Sequence, residues 1–192
     1  MENHNSRRRA TWYISLAQQV QPTLASSKNY RFACQAVDLC WSWIERHDVC
    51  GKTLLDLFHD DDDYGVDPAM SVEHDPVMWN AWGCISLALG YTSFCAYEDE
   101  GCPLPETLEL AATEEIIDEF MGYYHGVVGD SQVPELLAVF LRDLPDDRLT
   151  RSVVCAKLGE LVNSSTTGQA RTHRLTDSLY PGSSTTAPNK GV

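Results

Sequence analysis

The segment PVMWNAWGCISLALGYTSFCAY, residues 76–97, decides the fold. It carries no charged side chain, and Asn80, Ser86, Thr92 and Ser93 are its polar interruptions. A helix that is apolar on nearly every side belongs at the centre of a protein. Asp75-Pro76 marks its start: a carboxylate to cap the first turn, then proline at the first helical position, where the missing N–H costs nothing. Glu98-Asp99-Glu100-Gly101 marks its end. Gly83 and Gly90 lie seven apart and so share a face. Each costs about 1 kcal/mol against alanine inside a helix. Close approach of another helix would explain that cost, with a hinge as the rival reading.

Helical periodicity continues on both sides of this segment. Upstream, Trp12, Leu16 and Val20 repeat at four within a helix expected over Arg8–Leu24. Phe32, Ala33, Ala36, Val37, Cys40, Trp41 and Ile44 form the apolar stripe of a second, Asn29–Arg46. Gly51 and Thr53 open a short helical turn holding Leu54, Leu55, Leu57 and Phe58, and Asp60–Asp75 reads as an acidic loop with a turn near Pro68. Downstream, Pro103 and Pro105 hold an extended connection. Thr113 then caps a helix with Ile116, Ile117, Phe120, Met121 and Tyr124 inside and Glu114, Glu115, Asp118 and Glu119 outside. Further helices are expected over Pro134–Arg142 and Asp146–Val162. From Asn163 the chain is Ser, Thr, Gly and Pro with almost no apolar residues, which reads as a disordered tail. There is no internal repeat and no alternating strand. The expected class is all-α: a compact bundle of six or seven helices over residues 7–162, packed around the apolar one, with 163–192 as a tail.

A hydrophobic share of 43% supports such a core. The charge is less ordinary. The formal net charge of −14 is unevenly spread: residues 29–150 hold 25 Asp and Glu against 5 Lys and Arg, and the 89 residues from Thr53 to Leu141 hold no Lys or Arg at all. Nucleic-acid binding runs on Lys and Arg neutralising phosphates, and anionic membranes attract the same residues, so neither is an expected partner. A basic protein is, because complementary charge steers encounter. The bland reading is an acidic surface that keeps the protein soluble.

Seven cysteines, an odd number without disulfide spacing, fit a reducing cytoplasm and a role as small core residues. Arg7, Arg8 and Arg9 precede a stretch broken by Gln18, Gln19, Gln21 and Pro22, which is no export signal, and no run is long enough to span a membrane. Asp60-Asp61-Asp62-Asp63-Tyr64-Gly65 matches a calcium loop only in part, because Tyr64 and Ser71 stand where the fifth and twelfth positions need ligands. A calcium site, an acidic contact loop and a solvated loop remain the alternatives. His47, Cys50, His59, Cys84, Cys95 and Cys102 lack a Cys-x-x-Cys pair, so zinc is not expected. No cofactor is expected either. Cys50 with His47, or Cys34 with His125, would supply a nucleophile and base, yet nothing in the sequence orients either pair. The chain is read as a non-enzyme. Trp41 and Trp43 sit about 200° apart around their helix; core packing suits both, and an exposed Trp43 would be an anchor for a partner.

The run Cys40-Trp41-Ser42-Trp43-Ile44-Glu45, then Gly51, Leu54 and an acidic loop, resembles immunity-protein family six of bacterial polymorphic toxin systems. The likeness continues through Trp79, Trp82, Ala88-Leu89-Gly90-Tyr91-Thr92, Tyr97, Leu104-Pro105-Glu106 and the acidic helix Glu114–Phe120, covering residues 36–121. It implies an all-helical protein that binds and neutralises a toxin encoded beside it, and carries no catalytic residues. Charge adds a contact surface: Asp60, Asp61, Asp62, Asp63, Asp67 and Glu73 in the loop, with Glu114, Glu115, Asp118 and Glu119 on the helix, facing a basic toxin domain such as a nuclease. The alternative is an adaptor or chaperone for a secreted effector.

Overall fold

A computed structural model describes residues 3–59, 64–113 and 115–179, and side chains from Asn5 to Ser165 apart from Leu110 and Ala112. Its elements are α1 (Asn3–Val20), α2 (Tyr30–Arg46), α3 (Gly51–Phe58), α4 (Val66–Ser71), α5 (Pro76–Glu100), α6 (Glu115–Val128), α7 (Val133–Asp143) and α8 (Arg151–Leu179). Short 3-10 turns follow α1 at Gln21–Ser26, α5 at Glu106–Ala112 and α7 at Asp146–Arg148. Among the described residues there is no strand, and the protein is all-α. The helix beyond the six or seven expected is α4, the turn near Pro68.

The expected central helix is α5. It packs against α1, α2, α3, α4, α6 and two of the 3-10 turns, and Ala81, Trp82, Cys84, Ile85, Ala88 and Leu89 are fully buried along it. Asp75 caps it as its sequence requires, accepting from the N–H groups of Val77 (2.9 Å) and Met78 (3.0 Å). Gly101 closes it in the left-handed region at φ 63°. There the Gly101 N–H bonds the Glu98 carbonyl and the Cys102 N–H bonds the Tyr97 carbonyl.

The two α5 glycines differ in purpose. A Cβ on Gly83 would stand 2.6 Å from the Tyr123 ring of α6, so the absent side chain makes room for that ring. A Cβ on Gly90 would meet only Phe58, at an ordinary 3.7 Å. Close approach therefore explains Gly83 and leaves Gly90 unexplained.

A second hub is α1, which meets α2, α5, α6, α7 and α8. The glutamines that interrupt its apolar run are internal acceptors. Gln18 receives the Trp41 indole N–H at 2.7 Å and Gln19 the Tyr124 hydroxyl at 2.8 Å. Its arginines also turn inward. The Arg7 guanidinium donates to the Ile44 carbonyl (2.7 Å) in the last turn of α2. Arg8 donates to the Leu141 and Leu144 carbonyls (3.0 and 2.9 Å) where α7 ends, and pairs with Asp146 at 2.6 Å. Cations at helix C-termini satisfy free carbonyls and oppose the negative end of the dipole.

At the other end of the chain, α8 starts at Arg151 and not at the expected Asp146, where a 3-10 turn stands instead, and it is tied to α2: Glu45 accepts its Arg151 N–H at 2.6 Å, and the Arg151 guanidinium pairs with Asp38 at 2.7 Å. The helix then runs on to Leu179, past the Val162 boundary drawn from composition.

Candidate partner-binding surface

Asp60, Asp61, Asp62, Asp63 and Glu114 lie outside the described residues. Asp67 stands half-buried in the first turn of α4, 3.7 Å from His59 Nδ1. Glu73 is part of the turn into α5: its carboxylate accepts the N–H groups of His74 (2.9 Å) and Asp75 (3.0 Å). Glu115, Asp118 and Glu119 line the outer face of α6, all exposed. Glu115 and Asp118 fall in its first turn, where the helix dipole favours negative charge. Glu119 accepts the Tyr123 hydroxyl at 2.9 Å.

Packing decides toward which end of α5 the carboxylates lie. Tyr123 lies over Gly83, and the place of a Gly126 Cβ is filled by the Asn80 amide. The later α6 residue meets the earlier α5 residue, so the helices run antiparallel. Glu115 is eleven residues before Gly126, which at ~1.5 Å per residue places it about 16 Å further along toward the C-terminal half of α5. That half ends in Glu98, Asp99 and Glu100, and the 3-10 turn carrying Glu106 and Glu109 packs on both helices. Glu98, Asp99, Glu100, Glu106, Glu109, Glu115, Asp118 and Glu119 are all exposed, and the stretch that supplies them holds no Lys or Arg. Asp67 and Glu73 stand instead at the N-terminal end of α5. The five carboxylates between Glu98 and Glu109 were missed as site residues; the signal for them was three acids on the negative end of a helix.

Part of this charge is structural. Glu100 Oε1 accepts the Gly51 N–H at 2.7 Å and so caps α3 from outside, while Asp99 faces His47 Nδ1 at 3.4 Å. The ion pairs Arg46–Asp48, Lys52–Asp56, Arg142–Asp143, Arg151–Asp38 and Lys157–Glu160 draw on none of Glu98, Glu106, Glu109, Glu115, Asp118 and Glu119.

Trp43 is 3% exposed, which removes it as an anchor; with Trp41 at 2%, both belong to the core. The exposed tryptophan is Trp79, at 39%, on the first turns of α5. Its ring meets Tyr123 edge-on, with centroids 5.2 Å apart and planes at 76°. Burial, with the Glu119 carboxylate second, pushes the Tyr123 phenol up to about 12, so it stays a neutral donor at neutral pH.

Neither nucleophile–base pair is assembled. Cys50 Sγ lies against the Thr53 hydroxyl at 3.1 Å, which lowers its thiol, while His47 turns to Asp99 and the edge of Trp43. Cys34 receives the Gln21 amide at 3.2 Å, and His125 Nε2 is buried without a hydrogen-bond partner. Burial pushes the thiols of Cys40 and Cys95 up to about 12 and that of Cys84 higher still, the state of inert core residues. Cys50 and Cys102, by contrast, are exposed and not part of the core. Among the described residues no group of three His, Cys, Asp or Glu is placed to hold a metal ion. A cleft of about 320 Å3 between α1, α6 and α7 has an apolar floor of Trp12, Ile117 and Leu141 and a rim of Arg8, Arg9 and Arg142. No described helix is long and apolar enough to cross a membrane.

A family model described as immunity protein Imm6 matches residues 8–127. The chain belongs to the Imm6 family. It has no match among curated proteins and none among solved structures. The Imm6 region takes in α1 to α6 almost entire, including the acidic end of α5, the outer face of α6 and the Trp79–Tyr123 pair. It begins well before the residue 36 from which the motifs alone carry the likeness. The arginines of α1 that seal α2 and α7 include Arg8, its first matched residue. Helices α7 and α8 lie outside the match.

Proposed function

We propose that this Imm6 protein neutralises its cognate toxin in the cytoplasm by docking a basic toxin domain on the acidic end formed by α5, the following 3-10 turn and α6. Membership of an immunity-protein family makes a toxin protein the partner. The observation that carries the surface is the set of exposed carboxylates Glu98, Glu106, Glu109, Glu115, Asp118 and Glu119, supplied by a stretch of sequence that holds no Lys or Arg. Contiguous charge of one sign raises the encounter rate with an opposite surface and fades with salt. A nuclease suits this field best, since a protein built to hold phosphate carries the complementary basic groups.

The test uses the toxin domain encoded in the adjacent reading frame. Converting Glu106, Glu109, Glu115 and Asp118 to lysine in one chain should slow association on the order of tenfold or more at low salt, with a smaller change in dissociation. Raising the salt should shrink the difference. A variant that associates at the parental rate, and protects cells as well, would sink this surface while leaving the family assignment standing.

A further inference from the structure

Two aromatic side chains are exposed among the described residues, Tyr64 and Trp79, and a cation covers the first of them and not the second. Tyr64, exposed at 42%, lies under the Arg31 guanidinium at 5.6 Å, which also covers Phe32 at 4.8 Å. The half-buried Phe140 has Lys157 at 5.9 Å, and even the buried Tyr91 has Arg9 at 6.0 Å. Each of these rings receives a cation from its own chain. Among the described residues none stands over Trp79 or Tyr123, although Trp79 is 39% exposed. Nearby sequence offers none either, because Lys and Arg are absent from Thr53 to Leu141.

The pair is also held rigid. Gly83 gives up its side chain so that the Tyr123 ring can lie against α5. The phenol is fixed by Glu119, and the ring meets Trp79 edge-on. Glu119 thereby lies one hydrogen bond from the aromatic pair, on the same helix face as Asp118 and Glu115. A fixed aromatic face beside a carboxylate is the environment in which a guanidinium or ammonium group binds.

We infer that Trp79, backed by Tyr123 and Glu119, is the anchor of the toxin interface and receives an arginine or lysine side chain of the toxin. This rests on the docking reading above and adds to it a division of labour. The carboxylates set how fast the partners meet, and Trp79 sets how long they stay together.

Dissociation of the neighbouring-frame toxin domain from full-length variants tests it, with thermal melts to confirm folding. W79A should dissociate about thirtyfold faster or more, with association nearly unchanged. W79F should keep most of the lifetime. W79L preserves apolar bulk and removes the π face, so it should behave within about threefold of W79A if a cation is bound. A W79L chain that dissociates like the parent would overturn the cation, and a W79A chain that does so would overturn the anchor. Either result leaves the acidic docking surface intact. A parent chain that forms no complex at all overturns both.

Discussion

At its N-terminus α5 begins on Asp75, whose carboxylate takes two backbone N–H groups, and on Pro76, which has none to lose. At its C-terminus the same helix ends on Glu98, Asp99 and Glu100, where the helix dipole already makes the potential negative. The first end follows the local rules of helix formation throughout; the second follows them in its Gly101 closure and breaks them in its charge. What offsets that charge is tertiary. Glu100 reaches across to cap α3 at Gly51, the Ser93 hydroxyl donates to the Gly51 carbonyl at 3.1 Å, and Asp99 faces His47 beyond the end of α2. Local chemistry thus closes the backbone at both ends, and the acids at the second are accommodated by the elements it docks. The acidic end is also where the proposed partner surface lies, consistent with the tendency of local rules to yield at functional sites.

The sharpest way to break this contrast is Gly51→Ala. A Cβ there would stand 2.5 Å from the Tyr97 ring, so the ring or α3 must move. Overpacking of this kind costs about 1–3 kcal/mol. Y97A in the same chain should return most of the loss, because the two changes share one contact. Urea melts of the four chains in the cycle read it directly. Strict additivity would mean that the α3–α5 seam does not hold the acidic end in place.

At the opposite end, Asp75→Ala should cost about 1 kcal/mol by leaving two first-turn N–H groups without their acceptor. Asp75→Asn keeps an acceptor oxygen and should lie close to the parent. If alanine and asparagine were equally destabilising, charge and not the cap would be the cause.

These two sites differ in how far the sequence reveals them. Asp75-Pro76 is a local signal, and with the unbroken apolar run after it the central helix and the all-α class were legible from residues 76–97 alone. Periodicity also marked the inner stripe of α2 and the acidic outer face of α6, because both repeat within a few residues. What it does not carry is the identity of the neighbour. Gly83 and Gly90 look alike in sequence, yet only one is overlain by a ring. Trp43 and Trp79 both sit on apolar stretches, and only packing leaves the second one exposed. The contact from Arg8 to the Leu141 carbonyl spans 133 residues and leaves no mark near either partner. Composition likewise set the end of the last helix at Val162, but Ser, Thr and Gly lower helix propensity without forbidding helix, and α8 continues through them.

The smallest predicted effect is also the most informative about why the acidic end exists. Glu98 is exposed, faces the negative pole of α5 and, among the described residues, has no ion-pair partner. Glu98→Lys should therefore stabilise the fold by about 0.3–1 kcal/mol, through a better match to the dipole and less repulsion from Asp99 and Glu100. For a chain of this size that is a rise of roughly 1–4 °C in Tm. If the carboxylates are kept for a basic partner, the same change should slow toxin association at low salt, so stability and binding move in opposite directions. A variant that melts higher and associates at the parental rate would show that Glu98 contributes nothing to recognition. The docking surface would then contract to the 3-10 turn and the outer face of α6, which the fourfold lysine variant examines separately.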